Sequence, residues 1–111
     1  MKLWIDDVRP APEGYIWLKS VNDAMKFIYE TELKLITAFK TGWNHKKYRI
    51  ELIDIDHDAG DFAKYGGDYI KLLDWLEETG RDYPIHIHSQ NSVGVQNMRR
   101  IIERNGWKEL R

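Results

Sequence analysis

Three short segments of this chain place acids and histidines directly after apolar runs. Asp6 and Asp7 follow Leu3-Trp4-Ile5, Asp56-His57-Asp58 follow Leu52-Ile53-Asp54-Ile55, and His88-Ser89 follow Ile85-His86-Ile87. Ionisable groups at the end of a buried run carry a desolvation cost that a functional site commonly justifies. Asp56 and Asp58 are two residues apart and share a face if the strand continues through them. With Asp6 or Asp7 they make three carboxylates, a hard oxygen cluster suited to Mg²⁺ or Mn²⁺. Carboxylates this close repel one another, and either a cation or Arg9 would neutralise them. His88, nearest its strand end, suits proton transfer, with His57 beside the acids and His86 deeper as a structural or supporting residue. Ser89 and Asn91 offer hydrogen bonds to phosphate oxygens near the start of a helix, and Ser92 reads as that helix's N-cap.

The elements that must carry these groups alternate in type. Lys2–Ile5 reads as a strand, Arg9–Gly14 as a loop enforced by two prolines and a glycine, and Tyr15–Leu18 as a second strand. Ser20 caps a helix that runs to about Glu32, with continuation or restart through Phe39 and a stop at Gly42. His45–Arg49 is a basic loop, and Ile50–Ile55 is the clearest strand. Within it Asp54 faces away from Ile53 and Ile55. Asp68 reads as the cap of a helix with Tyr69, Ile70, Leu72, Leu73 and Leu76 as its apolar stripe, ended by Gly80. Pro84 opens a fourth strand. Val93–Asn105 reads as a last helix before Gly106, and Trp107–Leu110 as a short final strand.

This alternation predicts a single α/β domain over residues 1–111, a mostly parallel sheet of four or five strands in three layers with helices on both faces. Ligands of such sheets bind beyond the carboxyl ends of the strands, where all three acid- and histidine-bearing segments lie. The first connection is too short for a helical crossover, so the second strand is either antiparallel or joined by an irregular loop.

Composition narrows the classes. Hydrophobic residues make up 42% of 111, enough for one core, and five tryptophans supply large buried areas. With 17 basic and 18 acidic residues the net charge is −1, so there is no global field for double-stranded DNA, and an RNA contact needs a local patch. The absence of cysteine excludes disulfides and thiolate metal sites and makes a reducing cytoplasm the expected setting. The acidic pair comes too early for a signal peptide, and no apolar run reaches membrane-spanning length. GxxxxGK[ST] and GxGxxG loops are both missing.

Together these segments resemble the cyclic-phosphate-processing receiver-like domains. That family's pattern has an opening strand ending in DDxRP, a strand with glycine and tryptophan, a central strand ending in DHD, and a strand ending in HS followed by N. The corresponding residues here are Asp6-Asp7-Val8-Arg9-Pro10, Gly14-Tyr15-Ile16-Trp17, Asp56-His57-Asp58-Ala59-Gly60, and His88-Ser89-Gln90-Asn91. The match runs in order over almost the whole chain. Leu33–Tyr48 looks like an insertion, and Ser92 stands where the family often has proline. The resemblance implies a flavodoxin-like, receiver-related fold. It also implies a phosphodiesterase-type hydrolase acting on cyclic phosphates such as RNA 2′,3′-cyclic ends, in RNA repair or conflict. It points to Asp6, Asp7, Arg9, Asp56, His57, Asp58, His88, Ser89 and Asn91. The sequence reading assigns His57, Asp58, His88 and Ser89 to catalysis, Arg9, Ser89 and Asn91 to the substrate, and Asp6, Asp7, Asp56 and Asp58 to a divalent metal. The alternative is a non-catalytic receiver-like module that binds phosphate or nucleotide, or signals through phosphorylation of Asp56 or Asp58. The receiver's lysine has no clear equivalent, because Lys108 comes too late.

Overall fold

In the computed structural model, which describes residues 1–111, five strands form one sheet in the order β2-β1-β3-β4-β5 with every neighbouring pair parallel. The strands are β1 (Lys2–Ile5), β2 (Tyr15–Leu18), β3 (Leu52–Ile55), β4 (Ile85–Ile87) and β5 (Glu109–Leu110). The helices are α1 (Val21–Thr41), α2 (Ile70–Glu78) and α3 (Ser92–Asn105), with short 3-10 segments at His45–Tyr48 and Gly60–Tyr65. This is the flavodoxin-like order that receivers share, in which a crevice for ligands is expected at the carboxyl ends of β1 and β3.

The β1–β2 question resolves in favour of the irregular loop: β2 is parallel to β1, and residues 6–14 replace a helix. Pro10 and Pro12 withhold backbone donors, and Gly14 takes a left-handed φ of 84° that an L side chain would strain. The loop is tied down by the two indoles: Trp4 Nε1 donates to the Arg9 carbonyl at 2.9 Å and Trp17 Nε1 to the Asp6 carbonyl at 2.8 Å.

That missing helix decides where the layers fall. The connections β2–α1–β3, β3–α2–β4 and β4–α3–β5 all step the same way across the sheet, and right-handed crossovers then land on one face. Accordingly α1 packs on α2 and α2 on α3. Their apolar stripes share one core with the alternate strand residues Leu3, Ile5, Ile53, Ile55 and Ile85. The expected flavodoxin-like α/β fold is present, with its three helices in one layer within residues 1–111 where helices on both faces were expected. A helix after β1 would lie on the other face, and residues 6–14 form an irregular loop there instead.

Local details also shift. Ser20 caps α1 as expected, its Oγ accepting from Asp23 N–H at 3.1 Å. The helix then runs unbroken to Thr41, because no glycine or proline interrupts it before Gly42. Leu33–Tyr48 is therefore the last turns of α1 plus a 3-10 turn, and the basic loop at His45 is that turn. Past the sheet, α1 leaves Tyr29, Leu33, Ile36 and Phe39 exposed, beside exposed Trp43. Asp68 does not cap α2; its Oδ1 accepts from Ala59 N–H at 3.0 Å. Tyr69 is fully buried with its hydroxyl donating to the Lys19 carbonyl at 2.7 Å. Ser92 is exposed and already helical, and Asn91 is the cap of α3, accepting from Gly94 N–H at 2.9 Å. Ser20→Ala should cost about 1 kcal/mol in chemical denaturation, whereas Ser92→Ala should stay within about 0.5 kcal/mol; equal losses would contradict these cap assignments.

Candidate active site

Asp6 ends β1 with no exposed surface. Its Oδ1 accepts the N–H groups of Val8 and Arg9, both at 3.0 Å, and its Oδ2 faces His88 Nε2 at 2.9 Å. On the other side of that imidazole, His88 Nδ1 lies 2.6 Å from Asp54 Oδ1, and the same oxygen meets His86 Nδ1 at 2.8 Å. The His88 ring lies flat on Trp4, with centroids 3.8 Å apart and planes at 3°. Cross-strand register explains the assembly: Trp4 pairs with Asp54 and Asp54 with His86, one row on the face without helices.

A neutral His88 would turn one ring lone pair toward a carboxylate, so the two contacts favour the imidazolium. Burial works to lower the His88 pKa, but the hydrogen bonds and charges of Asp54 and Asp6 outweigh it and hold it above the ordinary value. For Asp6, burial acts to raise the pKa. The Arg9 and Val8 N–H groups, with His88, overcome it and keep the carboxyl below its usual range. These placements bear on the sequence assignments. Both His88 nitrogens are engaged, so proton transfer to a substrate must first break one of these bonds. Both Asp6 oxygens are already engaged by protein donors.

The second group is acidic. Asp6, Asp7 and Asp56 bring carboxylate oxygens within 4.8 Å of one another. Asp7 is pushed above its usual pKa by burial and by the charges of Asp6 and Asp56. Gly60 lets Asp7 sit there: at φ 54° it is in the glycine region, and a Cβ would fall 2.4 Å from Asp7 Oδ2. Asp56 Oδ1 accepts from His57 N–H at 2.7 Å.

Asp58, assigned with the metal ligands by its spacing from Asp56, stands apart from this trio. The chain has left the strand after Ile55, so strand alternation no longer governs these residues. Asp58 Oδ1 lies 2.8 Å from His57 Nδ1, and Asn91 Nδ2 donates to Asp58 Oδ1 and Oδ2 at 3.3 and 3.4 Å. The His57 bond, against a smaller effect of burial and with help from Asn91, holds the Asp58 pKa low. The carboxylate fixes the tautomer with the proton on Nδ1, which leaves His57 Nε2 without a protein partner. Gly94 packs against that ring, where a Cβ would fall 2.5 Å from Cγ and Cδ2. Asp68 lies within 4.8 Å of this pair.

Arg9 donates from Nη1 to the His88 carbonyl at 3.0 Å and is exposed, so it bridges the β1 and β4 tips rather than neutralising the acids. Ser89 Oγ accepts from Asn91 N–H at 3.2 Å. All three segments meet at the strand tips, as an open surface instead of the expected crevice. The groove of about 300 Å³ lies elsewhere, between α1 and Trp43 and Tyr48. Sequence reasoning left Asp54, Trp4, Gly60 and Gly94 out of the site. An acid in the middle of an apolar strand, in register with a histidine, was the signal for Asp54.

A family model described as the cyclic-phosphate processing receiver domain matches residues 1–104. No curated protein and no solved structure gives a significant match.

Two predictions follow from these contacts. Because its pKa is raised on folding, His88 contributes stability that is fully present below its ordinary value of 6.5 and is lost as pH rises through the higher folded value. Asp6, with a lowered pKa, contributes above its ordinary 3.8 and loses that as pH falls through the lower folded value. Asp54→Asn should therefore cost on the order of 3 kcal/mol near pH 6 and progressively less in more alkaline buffer; a pH-independent loss in denaturation series would refute the ionic cluster. Gly94→Ala should displace the His57 ring, read as a shift of its imidazole NMR resonances with the fold kept; unmoved resonances would contradict the packing.

Proposed function

The chain belongs to the cyclic-phosphate processing receiver family, and we propose that it is a phosphodiesterase that opens a cyclic phosphate by hydrolysis, with RNA 2′,3′-cyclic ends as the substrate class. The observation that carries this reading is the juxtaposition, at the tips of β1 and β3, of a crowded carboxylate trio with a histidine oriented by Asp58 and free at Nε2.

A divalent cation fits the trio. Asp7 carries a carboxylate that burial and two like charges disfavour, and all donors are hard oxygens. Asp7 and Asp56 would hold Mg²⁺ or Mn²⁺ with Asp6 behind them, and such a cation supplies charge neutralisation at the phosphoryl oxygens. The residues of the chain do the rest. His57 Nε2 takes a proton from the attacking water as oxygen bonds to phosphorus, and Asp58 stabilises the imidazolium that forms. One ring P–O bond breaks, and the departing alkoxide takes a proton from solvent at this open surface. Arg9 and Asn91 lie at the same tips and orient the phosphate, with Ser89 holding the Asn91 backbone. The buried His88 fixes Asp6 and the tip of β4.

The signalling alternative, phosphorylation of Asp56 or Asp58, lacks a receiver-type lysine at the site: Lys108 directly precedes β5, at the amino end of that strand. A small phosphodonor followed by intact mass measurement separates the two readings.

Incubation with 2′,3′-cyclic mononucleotides and RNA ends should give metal-dependent conversion to the monophosphate. Asp7→Asn and His57→Ala should each lower the rate at least roughly a hundredfold. Asp7→Asn should also raise the melting temperature of the metal-free protein, since it removes a repelled charge. Absence of turnover across the panel, with and without Mg²⁺ or Mn²⁺, defeats the hydrolase reading.

A further inference from the structure

All-parallel sheets normally bury both faces under helices. Among residues 1–111 no helix covers one face, and on its β1–β2 half that face is aromatic and cationic. Lys2 and Trp4 of β1 are in register with Tyr15 and Trp17 of β2. Trp4 and Tyr15 pack edge to face at 5.9 Å and 82°. Lys2 Nζ lies 5.6 Å from the Tyr15 ring centre, and Lys19 Nζ lies 4.3 Å from that of Trp17. Neither lysine is in an ion pair. The acid of that row, Asp54, is buried and bonded to His86 and His88. The three rings are partly exposed, and none belongs to the core under the helices.

This surface also adjoins the candidate site. Trp17 is bonded to the Asp6 carbonyl and Trp4 to the Arg9 carbonyl. The aromatic face thus ends where the acids begin.

We propose that this face is a stacking platform for single-stranded RNA, with bases on Tyr15 and Trp17 and backbone phosphates against Lys2 and Lys19, so that the 3′ end of the strand reaches the acids and His57. The proposal rests on the cyclic-phosphate reading and extends it from a nucleotide to a polymer end. A 2′,3′-cyclic phosphate needs the ribose 2′-hydroxyl, which selects RNA over DNA. Aromatic rings beside unpaired lysines match bases beside phosphates. A second copy docked face to face would bring lysines against lysines, and an apolar protein partner would have to desolvate both without compensation.

The test is fluorescence anisotropy with a labelled single-stranded RNA of about ten nucleotides, a length within the range of known platforms, ending either in a 2′,3′-cyclic phosphate or in a hydroxyl. Turnover of a 2′,3′-cyclic mononucleotide is measured in parallel. Tyr15→Ala and Lys19→Glu should each weaken RNA binding at least about tenfold, the scale of one lost stacked base. Both should leave mononucleotide turnover unchanged, since neither residue touches the acids or His57. Binding should weaken with added salt as phosphate contacts are screened. Mononucleotide turnover without RNA binding overturns the platform and spares the hydrolase. RNA binding lost in the two variants, with no turnover of any cyclic phosphate, upholds the platform and defeats the hydrolase. Binding insensitive to both substitutions, or pairing of protein copies through this face in sedimentation, overturns the platform.

Discussion

One imidazole gripped by two carboxylates holds the working end of this molecule together. His88 sits between Asp6 and Asp54 and so ties β1, β3 and β4 at their carboxyl ends. Removing these charges from water is expensive, and the arrangement survives because each is met by an opposite charge or a backbone donor. Trp4 covers the ring and keeps solvent from competing for its hydrogen bonds. Asp6 is consequently held by three hydrogen bonds, and its neighbours Asp7 and Asp56 are crowded against its negative charge. The crowding of acids at the strand tips is thus set by a buried group.

The topology explains why the patch lies open. A receiver-like sheet with one helical layer keeps the strand order that gathers β1 and β3 tips, but it lacks the second wall that would deepen a crevice there. Recognition on such a surface has to come from side chains that reach up from the loops, among them Arg9, Asp58 and Asn91, and from the neighbouring sheet face. The indole bonds from Trp4 and Trp17 to the 6–14 loop join these two surfaces into one rigid unit.

Much of this was legible in the residues. The apolar runs located every strand, Ser20 and Gly106 marked their helix ends, and the DD, DHD and HS segments lay at strand ends and met at one edge. What local pattern could not express was pairing between distant residues. Asp54 read as a residue facing away from the core, which it does, but the histidines it meets lie 32 and 34 positions later and are found through register alone. Asp58 read as a partner of Asp56 because strand alternation was carried past the end of the strand. The Ser92 and Asp68 caps failed for a related reason: a neighbouring side chain, Asn91, or a tertiary donor, Ala59 N–H, was better placed. The face on which the helices gather was not legible either, because handedness acts on whole crossovers and leaves no trace in any single window.

The free end of α1 has a consequence for the molecule in bulk. At about 1.5 Å per residue its 21 residues extend well beyond a four-residue strand, and the surplus displays Tyr29, Leu33, Ile36 and Phe39 to water. A net charge of −1 gives copies almost no mutual repulsion. Colloidal stability near neutrality therefore rests on the mixed charges scattered around that stripe, and concentrated solutions at moderate ionic strength, where those charges are screened, are where clumping would begin.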